Sequence, residues 1–269
     1  MWPFGLAKEG ARVAKRLTLA LLVVALLLGV GCVRPGTPEG GPDGSDTGKP
    51  AVEGQLSAGD LPSEPGYAWD VGWYLDVEPL PVEMSVNGPW TFPSAVDWQV
   101  GTNEIVELEA VPEIEIFSGY DFVVRTEEFG EETYHPRQMT DEWMLQLGRI
   151  SVSGDTVVAE PYAEPLRLWP LGFDVGDTFM VLEGENFRVD AKVVAQNRAV
   201  VPAGEIEDTY LVRFVYTPIT EGSIEGTNYY LLAPGVGFVG MFSVAAGDEA
   251  SGFTALDAAS VLITLPERR

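Results

Sequence analysis

The sequence predicts a mainly β protein: an antiparallel twisted sheet, half-barrel or β-sandwich-like, with little helix. Three observations carry that expectation. Apolar and polar residues alternate with a period of two in several runs, Gly- and Pro-rich turn signals separate those runs, and helical periodicity is scarce. Residues 67–269 are enough for a single β-rich globular domain that buries about 70% of its unfolded surface.

Taken in chain order, Glu107, Glu109, Glu113 and Glu115 alternate with apolar residues between Val106 and Ile116, and Pro112 interrupts them. Such a segment predicts a strand at a sheet edge, where proline is tolerated and charge discourages aggregation. Thr140-Asp141-Glu142-Trp143 resembles a helix N-terminus, so a helix over 140–147 competes there with a strand. Arg149 to Val152 and Thr156 to Ala159 flank Ser153-Gly154-Asp155 and predict a hairpin.

The clearest alternation is Phe187, Val189, Ala191, Val193 and Ala195 against Arg188, Asp190, Lys192 and Gln196, a half-buried strand. Tyr210, Val212, Phe214 and Tyr216 repeat it, and residues 228–232, 237–244 and 253–264 supply further extended stretches. Pro202 and Gly204 mark a corner, because proline cannot continue a central ladder and glycine takes positive φ. Residues 233–237 mark a break between strands, and Glu221-Gly222 and Glu225-Gly226 the ends of a hairpin connection.

Ahead of this domain lies an export signal over residues 1–31. Lys8, Arg12, Lys15 and Arg16 form a basic leader, and the apolar run from Leu17 to Gly31 follows it. As a helix that run is about 22 Å long, short of the roughly 30 Å a permanent span must cross. A cleaved signal is therefore expected rather than a transmembrane anchor. Residues 32–66 are dense in Pro, Gly, Ser, Asp and Glu and predict a lipidated N-terminus followed by a flexible linker. Treated as a coil, its 34 residues after Cys32 span roughly 32 Å.

The run Leu28-Gly29-Val30-Gly31-Cys32 resembles the lipobox of bacterial lipoproteins, in which a cysteine after a small residue is lipidated and becomes the mature N-terminus. That resemblance implies fatty chains on Cys32, palmitate among them, and a place on the extracytoplasmic face of the cell membrane. Cys32 is the only cysteine, so an intramolecular disulfide is excluded.

Further phrases lie at 165–177, at Val200 to Gly204 running into Asp208 to Arg213, and at Tyr230 to Gly237, with an echo at Gly88 to Phe92. In order and spacing they resemble uncharacterised bacterial β-rich lipoproteins across roughly residues 165–245. The resemblance implies a twisted antiparallel sheet, curled as in LolA-like lipoprotein carriers, and no established activity.

Charge narrows the partners. Removing the signal leaves 12 Lys and Arg against 40 Asp and Glu, a formal charge of −28. Phosphate backbones would be repelled, so nucleic acid is excluded as a partner. His135, the only histidine, stands beside Glu131 and Glu132 and reads as an exposed loop histidine; a multi-histidine metal site is excluded. No phosphate-cradling glycine loop or dinucleotide fingerprint is present, and no cofactor is expected. Trp69, Trp73, Trp90, Trp98, Trp143 and Trp169 read as core aromatics, with a sugar-stacking platform as the alternative.

These readings converge on a lipid-anchored, non-enzymatic envelope protein that binds a partner protein, a polymer or an apolar ligand. No catalytic residue is assigned. The runner-up is an extracytoplasmic carbohydrate hydrolase using paired carboxylates, Asp141 or Glu142 near Trp143.

Overall fold

A computed structural model describes residues 61–268 apart from 75, 77, 129, 221, 222 and 224. Cys32, the signal and the linker as far as residue 60 lie outside the described residues.

Fifteen strands occur among the described residues: β1 (Tyr67–Tyr74), β2 (Leu80–Met84), β3 (Trp90–Thr91), β4 (Gln99–Val106), β5 (Phe122–Glu128), β6 (Glu131–Met139), β7 (Trp143–Ser153), β8 (Thr156–Pro170), β9 (Thr178–Glu183), β10 (Phe187–Val201), β11 (Gly204–Pro218), β12 (Gly226–Ala233), β13 (Gly237–Asp248), β14 (Gly252–Leu262) and β15 (Glu267–Arg268). They form one sheet in the order β3-β10-β11-β12-β13-β14-β1-β4-β5-β6-β7-β8, while β2, β9 and β15 pair with β14, β10 and β1. The short β3 runs parallel to β10, and the other pairings are antiparallel.

The sheet curls without closing into a barrel. β8, at one end of the order, comes alongside β9, which pairs with β10 near the other end. Across that seam the Arg167 guanidinium donates to the Met180 carbonyl at 2.9 Å and sits 5.1 Å from the centre of the Trp143 indole.

The predicted alternation of β10 holds, with Val189, Ala191, Val193 and Ala195 buried, and Tyr210, Val212, Phe214 and Tyr216 of β11 are buried as well. Pro202 and Ala203 form the tip of the β10–β11 hairpin, and the chain leaves it through Gly204 at φ 126°. β7 and β8 make the hairpin expected around Ser153-Gly154-Asp155.

Three groups of side chains fill the fold. One, around Trp90, Phe242 and Phe253, lies between β2, β3 and the β11–β14 wall, where the Tyr229 and Phe242 rings stack with centres 5.1 Å apart. A second, around Phe173, Val193 and Val212, includes Leu61 from the segment expected to be linker. The third, around Val111, Phe117 and Ile150, lies on β5–β7 under the loop that follows β4.

Two local expectations are overturned. Residues 140–147 are not a helix. Thr140 Oγ1 accepts the backbone N–H of Trp143 at 2.9 Å, as a helix cap would, but Thr140 N–H also donates to the Trp143 carbonyl at 2.9 Å and closes the β6–β7 turn. Nor is 106–116 an edge strand. After Val106 the chain makes single 3-10 turns at Leu108–Ala110 and Ile114–Ile116, with Glu113 left-handed at φ 55° directly after Pro112. Proline fixes its own φ and supplies no ladder donor, and two tight turns let Val111 and Phe117 reach the third cluster.

Candidate functional site

Alternate residues of a strand share a face, and in this curled sheet one face encloses a cavity of about 220 Å³. Trp69, Val71 and Trp73 of β1 line it from one side. Along the β5–β6 hairpin, four cross-strand pairs look into it: Phe122 with Arg137, Val124 with His135, Thr126 with Thr133, and Glu128 with Glu131. The opposite wall is apolar and aromatic, with Val189, Phe214, Tyr216, Tyr230, Phe238 and Met241.

Most polar groups among these have protein partners. Thr126 Oγ1 donates to Asn103 Oδ1 at 2.8 Å. Gln146 Nε2 lies 3.2 Å from both His135 Nδ1 and the Tyr162 hydroxyl. An amide N–H can only donate, so Nδ1 accepts and the neutral ring carries its proton on Nε2. The Tyr216 and Tyr230 hydroxyls pair with each other, and burial keeps both phenols protonated far into the alkaline range.

Two groups stand apart. Arg137 belongs to the row Phe122–Arg137–Gln146–Leu166 across β5 to β8. Arg137 is half-buried: its Nε is shut off from water without a partner, and no hydrogen bond or ion pair joins its guanidinium to a described residue. Burial pulls its pKa down to about 10, with only the Tyr162 phenol opposing the fall. Glu128, at the other end of the hairpin, is pushed up to about 7 by burial, against a smaller pull from the neighbouring Trp73 indole.

Several sequence expectations change here. His135 is not an exposed loop residue: it lies in β6, 5% exposed. Burial first, and then the positive charges of Arg137 and Arg149, lower its pKa to about 3. The six tryptophans offer no exposed platform, since Trp73, Trp90 and Trp143 are buried and Trp69, Trp98 and Trp169 half-buried. Asp141 and Glu142 sit exposed on the β6–β7 turn, while Trp143 turns inward against Phe179 with ring centres 5.7 Å apart. The carboxylates and the indole proposed for a hydrolase therefore point to different sides of the sheet margin. Among the described residues, no group of three or more His, Cys, Asp or Glu could hold a metal ion.

In the sequence Glu131 stands out only as a neighbour of His135, and neither Arg137 nor Glu128 is distinguished. A signal was available: Thr133, His135 and Arg137 fall on one strand face, and so do Phe122, Val124, Thr126 and Glu128. What obscured it was Pro136 within the strand, which reads as a loop.

No protein-family model matches the chain, and no curated protein matches it. Among solved structures, a protein of Parabacteroides distasonis ATCC 8503, provisionally described as a lipoprotein, aligns over 76% of this chain and 97% of its own. The identity is 14% and the TM-score 0.32. A likeness of that degree assigns neither a ligand nor an activity.

Proposed function

We propose that this chain is an envelope lipoprotein that binds, without chemical turnover, an apolar ligand inside its curled sheet. The observation that carries the reading is the cavity, built from Trp69, Phe214, Phe238 and Met241 and reached by only a few polar groups. Concave, largely apolar sites with sparse polar groups are the usual form of small-ligand pockets. Removing apolar ligand surface from water at about 25 cal/mol per Å² supplies the driving force.

In this reading, lipid on Cys32 holds the protein on the extracytoplasmic face of the membrane. The acidic surface then keeps the domain from adhering to anionic lipid, and the ligand enters from the membrane side or from a partner. Cys32→Ser would move the full chain out of the membrane fraction.

The test is direct. The full chain is purified without added lipid and extracted with organic solvent, and the extract is analysed by mass spectrometry. In parallel, a dibrominated alkyl compound is titrated while tryptophan fluorescence is followed. A stoichiometric amphiphile in the extract, or saturable quenching through Trp69, Trp73 and Trp169 at the cavity wall, supports the reading. An empty extract together with unquenched fluorescence overturns it.

A further inference from the structure

The cavity poses an electrostatic problem that its own walls do not solve. Arg137 stands in a row with Phe122, Gln146 and Leu166, and no carboxylate among the described residues pairs with it. The side chain is half-buried with its Nε out of water, and desolvating even part of a guanidinium without a counter-charge is costly, since buried charges are ordinarily paired. The two acids that line the cavity, Glu128 and Glu131, lie at the far end of the β5–β6 hairpin. Counted along β6, Glu131 is six residues away, roughly 20 Å at the usual strand rise and far too distant to form an ion pair with Arg137. His135, two residues away, accepts from Gln146 and remains neutral, so it supplies no charge of either sign.

The surroundings define the rest of the ligand. Across the fold from Arg137 the wall is hydrocarbon and aromatic, and its tyrosines hydrogen-bond to one another. A volume of about 220 Å³ falls just below the range of about 300–1,000 Å³ common for small-ligand sites. That suits one alkyl chain better than two.

We infer that the cavity takes a single-chain amphiphile whose anionic head, a carboxylate or a phosphate, is held by the Arg137 guanidinium, with the chain lying against Met144, Phe214 and Phe238. The inference deepens the apolar-ligand reading and rests on it. Arginine suits the task because its planar fork can donate two parallel hydrogen bonds to either oxyanion.

The experiment uses the full chain and four probes of equal chain length, each below its micelle concentration: dodecanoate, dodecyl phosphate, dodecanol and dodecyltrimethylammonium. Binding is read by calorimetry. At least one anion is expected to bind about tenfold or more tighter than the alcohol, the gain typical of a charge-assisted hydrogen bond, with the ammonium weakest. The tighter of the two anions identifies the head group. Arg137→Gln is expected to erase the anion preference while leaving dodecanol affinity within about twofold, and Arg137→Lys to keep part of the preference.

Dodecanol binding as tightly as both anions, or Arg137→Gln retaining the preference, overturns the inference and leaves the apolar-ligand reading standing. If none of the four binds, both fall. Should Arg137→Gln not fold, the wild-type ranking and Arg137→Lys decide the matter.

Discussion

Glu128 lies folded across Gly101: a Cβ built on that glycine would meet Glu128 Cγ at 2.6 Å and the Glu127 carbonyl at 3.0 Å. The missing side chain on β4 is what lets a carboxyl from β5 tuck into the cavity wall beside Trp73.

Gly101→Ala should therefore expel Glu128 toward water. The expected result is a loss of about 1–3 kcal/mol in denaturant unfolding, as for other over-packed sites. It should be accompanied by a fall of the Glu128 pKa toward the ordinary carboxylate range, followed by carbon-detected NMR titration. An unchanged pKa would show that the glycine does not control the carboxyl's depth.

Glu128 itself sets a pH dependence whose sign is fixed by burial. Its folded pKa of about 7 exceeds its unfolded value, so the native state holds the proton longer than the unfolded chain does. Its ionisation penalises folding progressively as pH rises from about 4.5 to 7, and the penalty is complete above that. Glu128→Gln should be about 2 kcal/mol more stable than the parent at pH 8 and indistinguishable from it at pH 4. Equal stability at both pH values would contradict the buried placement.

His135 acts in the opposite sense. Its folded pKa, near 3, lies below the unfolded value, so its contribution is fully present above about pH 6.5 and is lost as pH falls toward 3. His135→Gln cannot titrate and should remove part of the acid sensitivity. The difference between parent and variant should change by about 2–4 kcal/mol between pH 7 and pH 3, measured by urea unfolding. A difference independent of pH would mean the ring is solvated.

Gly148 probes the outer layer. A Cβ there would collide with the Phe117 ring, with the Glu160 carbonyl at 2.5 Å and with Pro161 Cα at 2.9 Å. Two of those three obstacles are backbone and cannot step aside. Gly148→Ala should cost about 2 kcal/mol or more and lower the melting temperature by several degrees. A neutral result would mean that the loop carrying Phe117 does not rest on β7.

The sequence was most legible where one sheet face is wet. In β10 the exposed Arg188 and Lys192 contrast with buried Val189, Ala191 and Val193, so the period of two survives. In β6, Thr133, Tyr134, His135 and Pro136 are all buried, because the cavity lies on one side and the Phe117 layer on the other. Alternation cannot be read from a strand covered twice, and Pro136 added a loop-like signal at the place where the β6–β7 register shifts. Thr140 misled for a different reason: a side-chain oxygen accepting backbone N–H groups serves a helix cap and a tight turn equally well. Arg137 stayed hidden because its importance lies in a lack of partners, which only the fold reveals.

The far margin of β8 has a consequence for how these molecules treat one another. Pro161, Pro165 and Pro170 punctuate that strand, and Pro161 and Pro170 lie opposite Gly148 and Trp143 of β7. A residue without an N–H is accommodated in a ladder with its ring turned to the unpaired side, so this rim is stripped of donors at intervals. A rim interrupted in this way is a poorer template for a foreign strand. Nor does it pair as a ladder with β9, so side chains such as Arg167, and not backbone rungs, join the two margins of the curl.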